Sequence, residues 1–185
     1  MAVVICMLRG VNVGPHNRVK MEALKALCAS LKLRDSQTYV QSGNIIFKTG
    51  EKDLLKLAKK IESAIQKEFG FQTDVILRSA KDLQKVIAGN PFAKRRDIVP
   101  GKLLVTFFSG DPGEPARAQV RAMKCDPEEI FIEGREAYIY FPNGAGRSKL
   151  NWAVIPKTLK VQGTARNWNS VTKMLEMAET MEAGD

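Results

Sequence analysis

The chain has 185 residues, of which 44% are hydrophobic and 26% charged, a composition typical of a globular protein rather than a disordered one. Lys and Arg number 29 against 20 Asp and Glu, so the formal net charge of +9 favours polyanionic ligands without specifying a fold. The longest apolar run, residues 2–8, is too short to span a bilayer and lacks the pattern of a signal peptide, so we expect a soluble cytoplasmic protein with no membrane partner.

Hydrophobic periodicity in the first half predicts elements in the order β-α-β-β-α-β-α. A short apolar run closed by Arg9-Gly10 indicates a buried strand, and Asn17 is the expected cap of the helix that follows. Ser42-Gly43 indicates a hairpin turn, and Gly70 the end of a long helix. The predicted strands are residues 2–8, 37–41, 44–48 and 73–77, and the predicted helices are residues 20–31, 52–69 and 80–88.

The same order of elements is predicted again after a segment rich in Gly, Pro and basic residues. Strands are expected at 102–108, 130–133, 136–141 and 162–165, and helices at 115–123, 148–153 and 167–178. Residues 76–79 and 164–167 match each other, since each leads from a strand into a helix. We therefore predict an α+β protein of two tandem ferredoxin-like βαββαβ units, with antiparallel sheets and helices packed on one face. The predicted units are residues 1–89 and 102–185, joined by a linker at 90–101.

Four short motifs resemble the bacterial domain-of-unknown-function family sixteen ninety-seven (DUF1697). They are Leu8-Arg9-Gly10-Val11-Asn12-Val13-Gly14, Tyr39-Val40-Gln41-Ser42-Gly43-Asn44, Asn90-Pro91-Phe92 and Thr164-Ala165-Arg166-Asn167-Trp168-Asn169. Pro15 departs from the second glycine that the family usually shows at that position. The resemblance implies a small bacterial α+β protein, and it implies no activity.

Polar residues cluster at one edge of the first predicted sheet. In this topology the end of the first strand and the tip of the following hairpin meet at the same edge, which gathers Arg9, Asn12, Asn17, Gln41, Ser42 and Asn44. A cation, amides, a hydroxyl and free backbone N–H groups suit a phosphate or a carboxylate. Structural roles explain the same residues, because Gly, Asn and Ser are also what tight turns require. Of the possible functions, the leading hypothesis is binding of a phosphate-bearing or acidic small molecule at this edge.

A small-molecule enzyme is the first alternative, in which His16 or a carboxylate acts as an acid or base in the same cleft. His16 is the only histidine, and Cys6, Cys28 and Cys125 are widely spaced, so we expect reduced thiols, no metal site and no cofactor. A Walker phosphate loop is excluded, because no Gly-Lys-Ser/Thr follows the glycines.

A second candidate anion site lies in the second half. It comprises Arg147, Ser148 and Lys149 after a glycine turn, together with Arg166 and Asn167 at the end of the last strand. Their topology places them at the edge opposite the hairpin. A glycine turn and two helix caps explain the same residues without a ligand.

RNA binding is the second alternative. Tyr138 and Tyr140 point to one face of their strand, as do the base-stacking aromatics of RNA-recognition modules. The first half has no matching aromatic pair, and packing between the halves would also explain the tyrosines. The basic run Lys94-Arg95-Arg96 is interpreted as a solvated face of the linker.

Overall fold

The first four-stranded sheet has the strand order β2-β3-β1-β4, and all of its neighbouring strands are antiparallel. This is the ferredoxin-like arrangement that the sequence predicts. The structure, a computed structural model, describes residues 1–148 and 154–184. In chain order the elements here are β1 (Ala2–Leu8), α1 (Met21–Ser30), β2 (Arg34–Tyr39), β3 (Asn44–Thr49), α2 (Leu54–Phe69), β4 (Val75–Ser79) and α3 (Ala80–Ala88).

Helices α1 and α2 pack on one face of this sheet. Their apolar residues, such as Leu24 and Ile61, form a single buried cluster with Val4, Cys6 and Phe47 of the strands. Each such side chain contributes about 1.5–3 kcal/mol of burial free energy. The other face of β1 is buried as well, so this central strand is apolar on both sides, which explains why its sequence does not alternate.

Local signals set the ends of α2. The Asp53 carboxylate accepts a hydrogen bond from the Lys56 N–H (3.0 Å), and Gly70 closes the helix in a left-handed conformation with φ of 76°. The prediction that Asn17 caps α1 is wrong. Lys20 occupies the cap position without a side-chain bond, while the Asn17 amide lies 3.4 Å from the Gly10 carbonyl, to which it donates.

The second sheet has the order β6-β7-β5-β8 and is likewise antiparallel throughout. Its core joins residues of α4 and α5, such as Val120 and Leu159, to strand residues such as Phe108 and Ile139. The elements are β5 (Leu103–Phe108), α4 (Glu114–Arg121), β6 (Glu129–Glu133), β7 (Glu136–Tyr140), α5 (Val154–Leu159), β8 (Gly163–Asn167) and α6 (Trp168–Ala183).

The two units are similar in register as well as in strand order. Arg78 lies opposite Ile5 in the first sheet, and Arg166 lies opposite Val105 in the second. Each arginine is buried and donates to the carbonyl of the residue before it.

The chain forms two compact units. One comprises residues 1–84 together with the C-terminal segment from Lys173, and the other runs from Lys85 to Thr172.

The helix predicted at 148–153 falls almost entirely outside the described residues. Ser148 is extended, and residues 149–153 lie outside the described part of the chain. Helix α5 (Val154–Leu159) is described directly after them, and Pro156 lies within it.

All three cysteines are free and buried, and burial raises the pKa of Cys28 to about 11.

Across the described ranges, no helix has both the length and the apolar character needed to cross a membrane.

Candidate anion-binding site

Three chain segments meet at one edge of the first sheet, as the strand order requires. The Leu8 N–H donates to the Gly43 carbonyl (2.9 Å), which joins the end of β1 to the β2–β3 hairpin. The Arg9 N–H donates to the Asp74 carbonyl (3.0 Å), which joins it to the segment before β4. Gly43 permits the close approach, because a Cβ there would lie 2.9 Å from the Leu8 Cβ.

The loop between β1 and α1 comprises residues 9–20, and we call it the anion loop. The side chain of Asn12 holds it in place through hydrogen bonds. Its amide donates to the carbonyls of Gln41 (2.7 Å) and Val19 (3.1 Å), and its Oδ1 accepts from the Val19 N–H (2.9 Å). Val11 and Val19 are buried in the core on either side of it. The loop is therefore held at both ends, and the intervening residues 13–16 are exposed.

The Asn44 amide and the Ser42 hydroxyl of the predicted cluster form bonds within the protein. Asn44 is fully buried, and its amide donates to the Ser42 Oγ (2.9 Å) and the Tyr39 carbonyl (3.2 Å). Gln41 contributes its backbone carbonyl to Asn12. The structure thus brings the predicted residues together, with Asn12, Ser42 and Asn44 shaping the hairpin and the loop.

Arg9 is the cation of the cluster, and it pairs with a carboxylate that sequence reasoning missed. Its Nη1 lies 2.9 Å from the Asp74 Oδ2, and both side chains are over one-third exposed. The Thr73 hydroxyl donates to the Arg9 carbonyl (2.7 Å). The signal was available in the topology, because β4 is antiparallel to β1 and must therefore start at this edge.

The exposed part of the anion loop keeps donors for a ligand. Gly10, Asn12 and Gly14 have φ of 65°, 56° and 66°, and left-handed residues within a turn are the setting in which backbone N–H groups converge on an anion. Within the described residues, the N–H groups of Gly10, Val13 and Gly14 donate no hydrogen bond. Arg18 is exposed and, in the same part of the chain, forms no hydrogen bond or ion pair.

The second candidate site is only partly described. Arg166 is buried and donates to the Thr164 Oγ1 (2.7 Å), while the Asn167 Oδ1 accepts from the Ser170 N–H (3.3 Å) at the start of α6. Arg147 is exposed in a short 3₁₀ turn, followed by Ser148. Lys149 lies outside the described residues.

Comparison with known proteins identifies the family. Residues 1–138 match the family described as "Protein of unknown function (DUF1697)", which covers the whole anion loop and its hairpin. The chain belongs to this family.

The fold of this DUF1697 member is shared with a solved structure, the conserved bacterial protein SP0830 from Streptococcus pneumoniae. The two are 22% identical, the TM-score is 0.72, and the alignment covers 96% of this chain and 98% of the other. At that identity the likeness shows the fold alone. No curated protein matches the sequence.

The tyrosines of the RNA-binding alternative are buried in this DUF1697 chain. The Tyr138 hydroxyl donates to the Val86 carbonyl (2.7 Å), and the Tyr140 hydroxyl donates to the Asp97 carbonyl (3.2 Å). Burial, helped by the charge of Glu136, raises the pKa of Tyr138 to about 12. Both rings therefore serve as anchors of the second unit instead of an exposed stacking surface.

The basic run of the expected linker is exposed at all three residues, and Arg95 among them forms ion pairs. Arg95 lies 2.6 Å from carboxylate oxygens of both Asp97 and Glu129, and its guanidinium lies 5.5 Å from the centre of the Phe92 ring. Arg95 therefore has partners within the protein although its side chain faces solvent. Within residues 1–148 and 154–184, no three His, Cys, Asp or Glu side chains are grouped to hold a metal ion.

Proposed function

We propose that this protein binds a phosphate-bearing or acidic ligand at the anion loop. The observation that carries the proposal is the set of exposed N–H donors at Gly10, Val13 and Gly14, which have no partner in the described chain. A rigid loop that presents N–H groups lowers the entropic cost of gathering them around an anion.

Charge supports an anion over a cation. Residues 9–20 include Arg9, Arg18 and Lys20 and contain no Asp or Glu. Arg18 is available to gain a partner, because no described residue engages its side chain. A charge-assisted hydrogen bond there would be worth more than one between neutral groups.

We favour binding over catalysis because the histidine that could act as acid or base has no group among the described residues to orient it. His16, the histidine that the enzyme alternative names, is exposed, and its side chain forms no hydrogen bond with any described residue. The Asp74 carboxylate at this edge is paired with Arg9. A general base normally depends on a second group to orient it and to tune its pKa.

The test is titration of the protein with inorganic phosphate by isothermal calorimetry, with Arg18→Ala as the variant. We expect the variant to lose about 1–3 kcal/mol of binding free energy, the usual cost of removing a charge-assisted bond. Its melting temperature should not change, since the side chain has no partner to lose.

Lys52→Ala is the matched control. It removes the same charge from an exposed residue of the same unit, but Lys52 follows the end of β3 at the opposite edge of the sheet. Equal losses in the two variants would show that net charge, and not the loop, attracts the anion.

A further inference from the structure

A polar groove of about 380 Å³ lies beside the anion loop, between α2 and the residues that lead into β4. Ser63 and Gln66 of α2 and Gln72 before β4 contribute side chains to its lining. None of these three side chains forms a hydrogen bond with another described residue. One hydroxyl and two amides, which both donate and accept, are thus available to a ligand.

The charged residues of the groove are already engaged. The Lys59 Nζ donates to the Glu62 Oε2 (2.7 Å), and the Glu62 Oε1 accepts from the Val75 N–H (3.1 Å). Asp74 is bound by Arg9. Because one cation faces two carboxylates, the groove does not attract a phosphate itself, and a neutral group rich in hydroxyls fits it better.

Arg9 connects the groove to the anion loop. The Arg9 carbonyl accepts a hydrogen bond from the Thr73 hydroxyl (2.7 Å), and the Arg9 guanidinium contacts the Asp74 carboxylate (2.9 Å). Thr73 and Asp74 both line the groove. A ligand with its anionic group at the loop would therefore extend its remaining atoms past Arg9 into the groove.

We infer that the ligand is a phosphorylated sugar or polyol, whose phosphate binds the anion loop and whose hydroxyl groups bind Ser63, Gln66 and Gln72. The inference rests on the proposed function and specifies its ligand class. No aromatic side chain is among the described residues that line the groove, which disfavours a nucleobase, since bases are held by stacking.

The test compares glucose 6-phosphate, glycerol 3-phosphate, glucose and inorganic phosphate by calorimetry. We expect the wild type to bind at least one of the two phosphorylated compounds about tenfold more tightly than inorganic phosphate. The double variant Gln66→Ala/Gln72→Ala should lose this gain and bind inorganic phosphate unchanged. Both residues are exposed, so the variant should fold, and circular dichroism checks this.

Gln119→Ala is the control, because Gln119 is exposed on α4 of the other unit and its side chain has no hydrogen bond in the described chain. Phosphate binding without any gain from the sugar or polyol would overturn the groove inference and leave the proposed function standing. Binding of glucose as tight as that of glucose 6-phosphate, lost in the double variant, would keep the groove and refute the loop as a phosphate site. If none of the four compounds binds, both proposals are wrong.

Discussion

Arg9 has two competing partners if the proposal is correct, the Asp74 carboxylate and the ligand. The pair is exposed, and such surface pairs contribute only about 0.2–1 kcal/mol to stability. The carboxylate nevertheless lies within hydrogen-bonding distance of the guanidinium, where it repels an incoming anion.

Asp74→Asn should therefore strengthen phosphate binding by about twofold to fivefold, as expected from removing a competitor of this strength. Arg9→Ala should weaken it, and both variants should keep the wild-type melting temperature within a few degrees. Calorimetry and thermal unfolding measure the two quantities. An Arg9→Ala variant that loses stability and keeps its phosphate affinity would make Arg9 a structural residue.

Tyr138 gives the stability of the protein a pH dependence. Burial raises its pKa to about 12, from an ordinary value of about 10. The folded state thus favours the neutral phenol, so this contribution is complete below about pH 10 and is lost as the pH rises towards about 12.

Tyr138→Phe should lower the free energy of unfolding at pH 7 by about 1–2 kcal/mol, because the buried Val86 carbonyl loses its donor. The difference between wild type and variant should shrink between about pH 10 and pH 12 in urea unfolding experiments. Tyr39→Phe is the control, since no described residue bonds the Tyr39 hydroxyl. A wild type–variant difference that stays constant over this range would contradict the role given to the phenol.

At the scale of elements, the anion loop is held by the hydrogen bonds of Asn12. Its side chain makes bonds to both Gln41 and Val19, and its φ of 56° lies in a region that Asn tolerates better than other non-glycine residues. A single residue thus ties the loop to the hairpin and to its own far end.

Asn12→Ala should lower the free energy of unfolding by about 2–4 kcal/mol, from lost hydrogen bonds and left-handed strain. It should also weaken phosphate binding, because the N–H donors are no longer held in place. Asn12→Gly separates the two effects, since glycine removes the strain but restores no bond. If both variants bind phosphate like the wild type, preorganisation of the loop is not what binds the anion.

Most elements were predictable because their signals are local. Each of these elements is determined by residues that are close together in the sequence. Examples are the apolar run of β1, the turn at Ser42-Gly43 and the end of α2 at Gly70. The cap of α1 was not predictable in this way, because Asn17 bonds across the loop to Gly10 and leaves Lys20 at the cap position.

The candidate site was predictable in place but not in detail. Strand order alone brings Arg9 to the hairpin, and the structure shows Leu8 bonded to Gly43 there. The Arg9–Asp74 pair joins residues 65 positions apart. The strand order places Asp74 at this edge, but no pattern along the chain shows that the two side chains pair. Likewise, the sequence places Tyr138 on a strand face but does not show that its hydroxyl reaches Val86.

For the whole molecule, the net charge of +9 favours polyanions in general, whereas the buried tyrosines argue against recognition of single-stranded RNA. Charge alone favours weak, salt-sensitive contacts with any polyanion. Recognition of single-stranded RNA would also need exposed rings for stacking, and Tyr138 and Tyr140 are each only 5% exposed. Charge therefore explains general attraction to anions, and the anion loop supplies the specific site that we propose.

The most direct measurement is a titration of ¹⁵N-labelled protein with inorganic phosphate, followed by amide NMR, with chloride at equal ionic strength as the reference. The proposal predicts saturable shifts that are largest at Gly10, Val13 and Gly14, and much smaller shifts in the second unit. Shifts that do not saturate, or that centre on Arg147 and Ser148, would contradict it.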